Sequence, residues 1–235
     1  MKALIVNADD FGMCQAVNQG VAVAHEKGIV TSASLMVRRA AASAAADYAG
    51  RHPELSVGLH LDLGEWEFHD GGWHARYVMS GAVDAEVERQ LDLFRELLGR
   101  DPTHLDSHQH AHRTEPAASV ICVMAGRLGV PLRGTGAGIR YVGDFYGQTG
   151  RGDPLPNAIS VEALLRLLGA MPEGVTELGC HPGIGNMNGT PYVVERAIEV
   201  ETLCHPQVRA ALEASGIMLA SFADIRGMGV TNADS

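Results

Sequence analysis

Two adjacent carboxylates, Asp9 and Asp10, stand in the stretch NADDFG directly after the apolar run ALIV. Neighbouring strand residues point to opposite faces, so an ordinary strand would aim one acid inward and the other away. For both to serve one site, the strand must end here and the chain must turn. Phe11 and Gly12 follow, and glycine tolerates the backbone angles such a turn requires. The plainer alternative is that one Asp caps the next helix.

Metal-capable residues recur where other apolar runs stop. His60 lies in GLHLDL, His181 in GCHPG, and Asp106, His108, His110 and His112 alternate through DSHQHAH. In an extended segment those four share one side; a His-rich surface loop is the competing reading. Catalytic zinc takes about three protein ligands and keeps a position open. One carboxylate of the ADD pair, His60 and one imidazole of the His-rich segment make such a set. His181 either joins them or tethers a turn. His25, His52, His69, His74, His104 and His205 lack such company and read as surface or structural.

Two neighbouring acids then have separate work. A bound divalent metal lowers the pKa of water from ~16 toward ~7, and a carboxylate beside it completes the deprotonation. Asp10, beyond the strand proper, would hold the ion, and Asp9 would face the water. Other chemistries fit poorly: the chain has no phosphate-binding G-x-x-x-x-G-K-[ST], no Rossmann glycine fingerprint after the first strand, no H-E-x-x-H and no G-x-S-x-G.

These residues need a scaffold that brings strand ends together. Strand-like runs fall near 3–7, 29–37, 56–61, 103–107, 138–142, 176–180 and 217–221, and helical spacing near 15–27, 40–50, 84–99, 116–128, 160–170, 191–203 and 206–214. Repeated strand-then-helix order implies parallel strands joined by crossover helices. Gly28, Gly99 and Gly129 punctuate helix ends. Segments 62–82, 143–158 and 183–189 read as loops, each after a strand. In parallel barrels the site is built from the loops at the carboxyl ends of several strands, which accommodates all four clusters.

Composition agrees. A chain of 235 residues, 46% apolar, suits a single α/β domain spanning 1–235. A formal charge of −10 argues against nucleic acid as a partner and for a neutral small molecule. The start runs straight into KALIVN without a basic-then-apolar leader, so the expectation is a cytoplasmic chain with no membrane span. Cys14, Cys122, Cys180 and Cys204 show neither zinc nor disulfide spacing and are expected as reduced thiols. An acidic barrel of this kind is able to form a homo-oligomer through its outer helices.

VNADDFG, GIVTSASLMV, VGLHLDL, PTHLDSHQHAH and GCHPG, in that order from about residue 3 to 224, resemble the YdjC-like family of carbohydrate deacetylases, whose members are similar to chitooligosaccharide deacetylase. The resemblance implies a distorted TIM-like (β/α) barrel of about seven strands, related in architecture to polysaccharide deacetylases. It also implies one divalent metal ion, zinc or magnesium, and hydrolysis of an N-acetyl group on a carbohydrate. Carried onto this chain, it makes Asp9 the catalytic base and Asp10, His60 and His108 the metal ligands.

His181 is then chemically suited to protonate the departing amine. His110 and His112 are expected as substrate contacts or supports, and Asp106 as the partner that fixes a ligand imidazole. Trp66 and Trp73 could stack on a sugar ring, with loop packing the alternative; Arg133 and Arg38 could orient substrate, with a surface role the alternative. The same site could cleave another amide or an ester, or the chain could be a silent metal- or sugar-binding protein. The presence of both Asp9 and Asp10 weighs against silence.

Overall fold

The run KALIVNADDF forms β1 (Lys2–Phe11), and its lack of polar residues between Lys2 and Asn7 follows from its place at the centre of the sheet. Every residue after Lys2 is buried, because helices or strands cover both faces and both edges. The computed structural model describes residues 1–79, 81–136, 138–187 and 190–225. Asn188 and Gly189 of the expected loop 183–189, and the end of the chain from 226, lie outside the described residues.

After β1 come α1 (Gln15–Glu26), β2 (Ser32–Leu35), α2 (Ala42–Arg51) and β3 (Ser56–Leu61). The hairpin β4 (Gly64–His69) and β5 (Gly72–Val78) follows, then α3 (Val83–Leu98), β6 (Leu105–Ser107) and a 3-10 turn (His108–Arg113). The chain continues through α4 (Ala117–Leu128), β7 (Ile139–Val142), α5 (Val161–Gly169), β8 (Gly174–Cys180), α6 (Val194–Leu203), α7 (Pro206–Ala214), β9 (Ile217–Leu219) and α8 (Phe222–Ile225).

The strands pair in the order β6-β3-β2-β1-β8-β7, all parallel. One edge of β1 is shared: Lys2–Leu4 pair with β9, and Asn7–Phe11 with β2. Among the described residues no full strand intervenes between β6 and β7. Instead the segment 131–133 lies beside β6, where Leu105 N–H donates to the Pro131 carbonyl and Arg133 N–H to the Leu105 carbonyl. The result is a curled sheet of seven parallel strands, the distorted TIM-like barrel that the family resemblance implies.

Helices cover the outside. On α3, Val87, Leu91 and Phe94 recur at helical spacing and are fully buried, as are Leu59 and Leu61 on β3. Truncating Phe94 to Ala would cost ~3–5 kcal/mol. Gly99 and Gly129 close α3 and α4 in the left-handed conformation. His104 is wholly buried, stacked on Phe222 at 3.7 Å, and occupies the space a side chain at position 58 would need. A Cβ on Gly58 would meet its ring at 2.4 Å. Among the described residues no helix is long and apolar enough to cross a membrane, and the four cysteines are free thiols.

Segment 62–82 departs from expectation, since it holds the β4–β5 hairpin rather than a loop. Its turn is Asp70-Gly71, both at positive φ (50° and 78°), the two-residue geometry that favours Asp-Gly. The hairpin stands apart from the main sheet and β5 is largely exposed, so Glu67 and Arg76 fill positions where a buried strand would carry apolar residues, while the buried Glu65 is paired with Arg39 and Arg76.

Candidate active site

A bulge answers the question set by the paired acids. Ala8 pairs with Ala33 and Phe11 with Leu35, so Asp9 and Asp10 together stand opposite the single residue Ser34. Asp10 takes φ 63°, a left-handed angle that Asp tolerates better than most side chains. The strand therefore does not stop before the acids as expected. It runs on to Phe11, and the bulge turns both carboxylates into one site.

Asp10 Oδ1 is the meeting point of two imidazoles. His60 Nε2, at the end of β3, lies 3.4 Å away, and His108 Nδ1, just past β6, lies 3.1 Å away. His60 Nδ1 is 2.7 Å from Asp106 Oδ1. Asp106 is held far below the usual carboxylate range: burial would raise it, but Arg133 and His60 outweigh burial. It therefore acts as an acceptor, fixes the proton on Nδ1 and leaves Nε2 aimed at Asp10. The other oxygen of Asp10 accepts from Arg196 Nη2 on α6 at 2.5 Å. Burial pushes the Asp10 carboxyl up, yet Arg196 and the imidazoles bring it well below its ordinary value.

This set fits a divalent ion. Bonds of ~2.0–2.1 Å in a tetrahedron place ligand atoms ~3.3–3.4 Å apart, close to the 3.1 and 3.4 Å observed. Asp9, His60 and Asp106 are also mutually close. There, however, the Arg133 guanidinium already sits 2.6 Å from Asp9 and 2.7 Å from Asp106, so the cation is part of the protein.

Arg133 organises the floor. Its Nη1 and Nη2 bind both oxygens of Asp9, Nη2 reaches Asp106, and Nε donates to Glu177 on β8 at 2.7 Å. Asn7 Nδ2 adds a 2.9 Å bond to Asp9 Oδ1. Burial would push Asp9 up, but Arg133 holds it below its usual value. Glu177, last in reach of Arg133, is pushed by burial to about 7.

His181 follows β8 with Nε2 3.8 Å from Asp9 Oδ2. Burial lowers its imidazole to about 4. Its backbone N–H donates to Glu199 of α6, which also accepts from the Tyr192 hydroxyl. The His181 loop presses against α1 so tightly that a Cβ on Gly20 would lie 2.3 Å from the Gly183 Cα.

Above the acids opens a cavity of about 890 Å³, large enough for more than one sugar ring. Asp9, Asp10, His60, His108, His110 and His181 line it, as do Trp66, Phe68 and Trp73 from the hairpin and Tyr141, Tyr146 and Tyr192 from the facing loops. Gln109, at φ 48°, grips the hairpin: its amide accepts from Trp66 N–H and donates to the Trp66 carbonyl, both at 2.9 Å.

Of the residues expected as possible substrate contacts, His112, Arg133 and Arg38 do not line the cavity. His112 is buried behind the turn, its Nδ1 2.7 Å from Ser107 Oγ, and Arg133 lies under the floor beside Asp106, the residue that meets His60 Nδ1. Arg38 pairs with Glu86 at 2.5 Å. Arg196, Glu177, Glu199 and Gln109 were not anticipated. The two glutamates and the arginine sit in segments that read like any charged helix or strand, and only the fold turns them inward.

A family model described as YdjC-like protein matches residues 3–214. Chitooligosaccharide deacetylase of Serratia marcescens is 30% identical, with 95% of this chain and 99% of that one covered. The crystal structure of an Enterococcus faecalis V583 protein named for cellobiose-phosphate cleavage superposes with a TM-score of 0.77 at 27% identity, covering 95% of this chain and 98% of that one. A family 4 carbohydrate esterase from Streptomyces lividans, solved with acetate, shares the fold at TM-score 0.57 and 14% identity, covering 93% and 92%.

Proposed function

The chain belongs to the YdjC-like protein family, and on that premise we propose that it is a metal-dependent hydrolase that removes the acetyl group from the nitrogen of an acetylated amino sugar or its oligomer. The convergence of His60 and His108 on one oxygen of Asp10, with Asp9 on the same bulge, carries this reading. The kinship to a chitooligosaccharide deacetylase supports a sugar as the substrate.

Asp10, His60 and His108 would hold the ion; two imidazoles and one carboxylate suit zinc better than magnesium, which prefers oxygen ligands. When bound, the ion supplies Lewis-acid polarisation of the acyl carbonyl and a lowered pKa for an attacking water.

The remaining work falls to the protein. Asp9 Oδ2 spends one lone pair on Arg133 and keeps the other toward His181, where it can take a proton from the water. A depressed carboxylate is a weak base, sufficient only for a water already acidified. His181 is neutral at rest, so it must gain a proton before it can serve as an acid. Asp9, 3.8 Å away, is its nearest proton source. The proton lost by the water thus passes through Asp9 and His181 to the amide nitrogen, which departs as the amine while the new C–O bond yields acetate. Aromatic side chains of the hairpin and facing loops offer stacking faces for sugar rings.

The test is acetate release from mono-, di- and tri-N-acetylglucosamine with zinc or magnesium, comparing wild type with Asp9→Asn. Acetate from wild type, lost in the variant while metal binding persists, supports the reading. Metal binding with no acetate from any acetylated sugar overturns it.

A further inference from the structure

The geometry points to a second divalent-cation site at the opposite end of the barrel, formed by His25, His52 and Glu54. His25 lies in the last turn of α1, His52 caps the end of α2, and Glu54 follows in the turn into β3. All three precede strands β2 or β3, so they sit at the amino-terminal rim, whereas the acids and imidazoles of the active site stand at the carboxyl ends. One ligand atom from each lies within 4.8 Å of the others.

The hydrogen bonding behind these residues prepares them as ligands. His25 Nδ1 is 2.8 Å from the Val30 carbonyl, which can only accept, so Nδ1 carries the proton and Nε2 presents a lone pair. That Nε2 is 3.4 Å from Glu54 Oε1, and His52 Nδ1 is 3.2 Å from the same oxygen. Each imidazole nitrogen can meet the shared Glu54 oxygen through a proton, and a divalent cation in the same gap would replace both protons at once. The separations match the ~3.3–3.4 Å edge of a tetrahedron with ~2.0–2.1 Å bonds. They also repeat the pattern at Asp10, one carboxylate oxygen shared by two imidazoles.

His52 is held in place from behind. Its ring stacks on Tyr48 at 4.1 Å and 20°, and its Nε2 faces Glu26 Oε1 at 3.9 Å, an oxygen that also accepts from the Tyr48 hydroxyl. The Glu54 side chain is 60% exposed, so water can complete the shell. Two imidazoles and one carboxylate select zinc, cobalt or nickel over magnesium or calcium. A bound ion would staple the ends of α1 and α2 together at the face of the barrel opposite the active site.

The experiment is zinc titration of untagged, chelator-stripped protein by calorimetry. The variants are His25→Gln with His52→Gln, Asp10→Ala with His60→Ala, and all four together; a second metal, cobalt, gives absorption spectra. The rim double variant is expected to bind one equivalent fewer than wild type, and the active-site double variant to retain an equivalent that the quadruple variant lacks. Zinc is expected to raise the melting temperature of the active-site double variant and not that of the quadruple. Equal zinc counts for wild type and the rim double variant overturn the site, whatever the active site binds. Should the rim double variant misfold, Glu54→Gln replaces it, with loss of the rim cobalt spectrum as the expected result and an unchanged spectrum as the refuting one.

Discussion

Arg133 holds both oxygens of Asp9 at once, with Nη1 2.6 Å from Oδ2 and Nη2 2.6 Å from Oδ1. The fork fixes the carboxylate plane while leaving one lone pair of Oδ2 toward His181. Lysine keeps the charge but cannot make a fork or reach Glu177 as well. Arg133→Lys is therefore expected to lower turnover by ~10²-fold, the scale of a 1 Å misplacement, and to destabilise the fold by ~1–3 kcal/mol through buried carboxylate oxygens left without a donor. Acetate release and urea midpoints measure the two effects, and wild-type turnover would show that Asp9 does not need the fork.

Asp106 acts on the proposed metal through His60. Asp106→Asn replaces an ionised acceptor with an amide, so His60 loses the partner that fixes its tautomer. The expected result is a ~10–100-fold weaker metal affinity, with turnover largely restored at saturating metal. Metal titration of activity reads this directly; an unchanged half-saturation point would sink the idea.

Gln109 couples the hairpin to the turn that carries His108. Removing its two hydrogen bonds, each worth ~0.5–1.5 kcal/mol, frees the wall that bears Trp66, Phe68 and Trp73. Gln109→Ala should raise KM for acetylated oligomers roughly tenfold and leave kcat near wild type. Gln109→Gly should behave alike despite relieving the positive φ, since the grip, not the strain, matters. Equal KM changes for monomer and trimer would argue against a role in holding extended substrates.

The barrel was legible because buried parallel strands must be apolar and their covering helices amphipathic; α1, α3, α4 and α7 fall within a residue or two of the spacing that predicts them. Asp9, Asp10, His60, His108 and His181 stood out because chemistry-bearing residues interrupt apolar runs at strand ends. The bulge was not legible, since no glycine marks it and Asp10 itself takes the left-handed angle. Arg133 looked like a solvent-facing charge because nothing in GVPLRG reveals that its residues 131–133 run beside β6. The hairpin carried a readable Asp-Gly turn, masked by strands too exposed to alternate.

Glu199 links the site to stability and gives a prediction with a definite sign. Burial pushes its carboxyl from 4.5 up to about 8 against the opposing pull of the His181 N–H and the Tyr192 hydroxyl. Between those values the folded protein keeps a proton that the unfolded chain has released. Its contribution is therefore complete below pH ~4.5, declines by about 1.4 kcal/mol per pH unit as pH rises, and is gone above ~8. His104 acts with the opposite sign, since burial lowers it to about 3 and the folded state loses stability as pH falls below ~6.5. Glu199→Gln, which mimics the protonated form, should leave stability at pH 5 nearly unchanged and raise it relative to wild type between pH 6 and 8. Urea midpoints at pH 5, 6.5, 8 and 9 check this. Because His104 is untouched, both proteins should still weaken together in acid, and parallel profiles across the whole range would mean that Glu199 ionises like an exposed carboxylate.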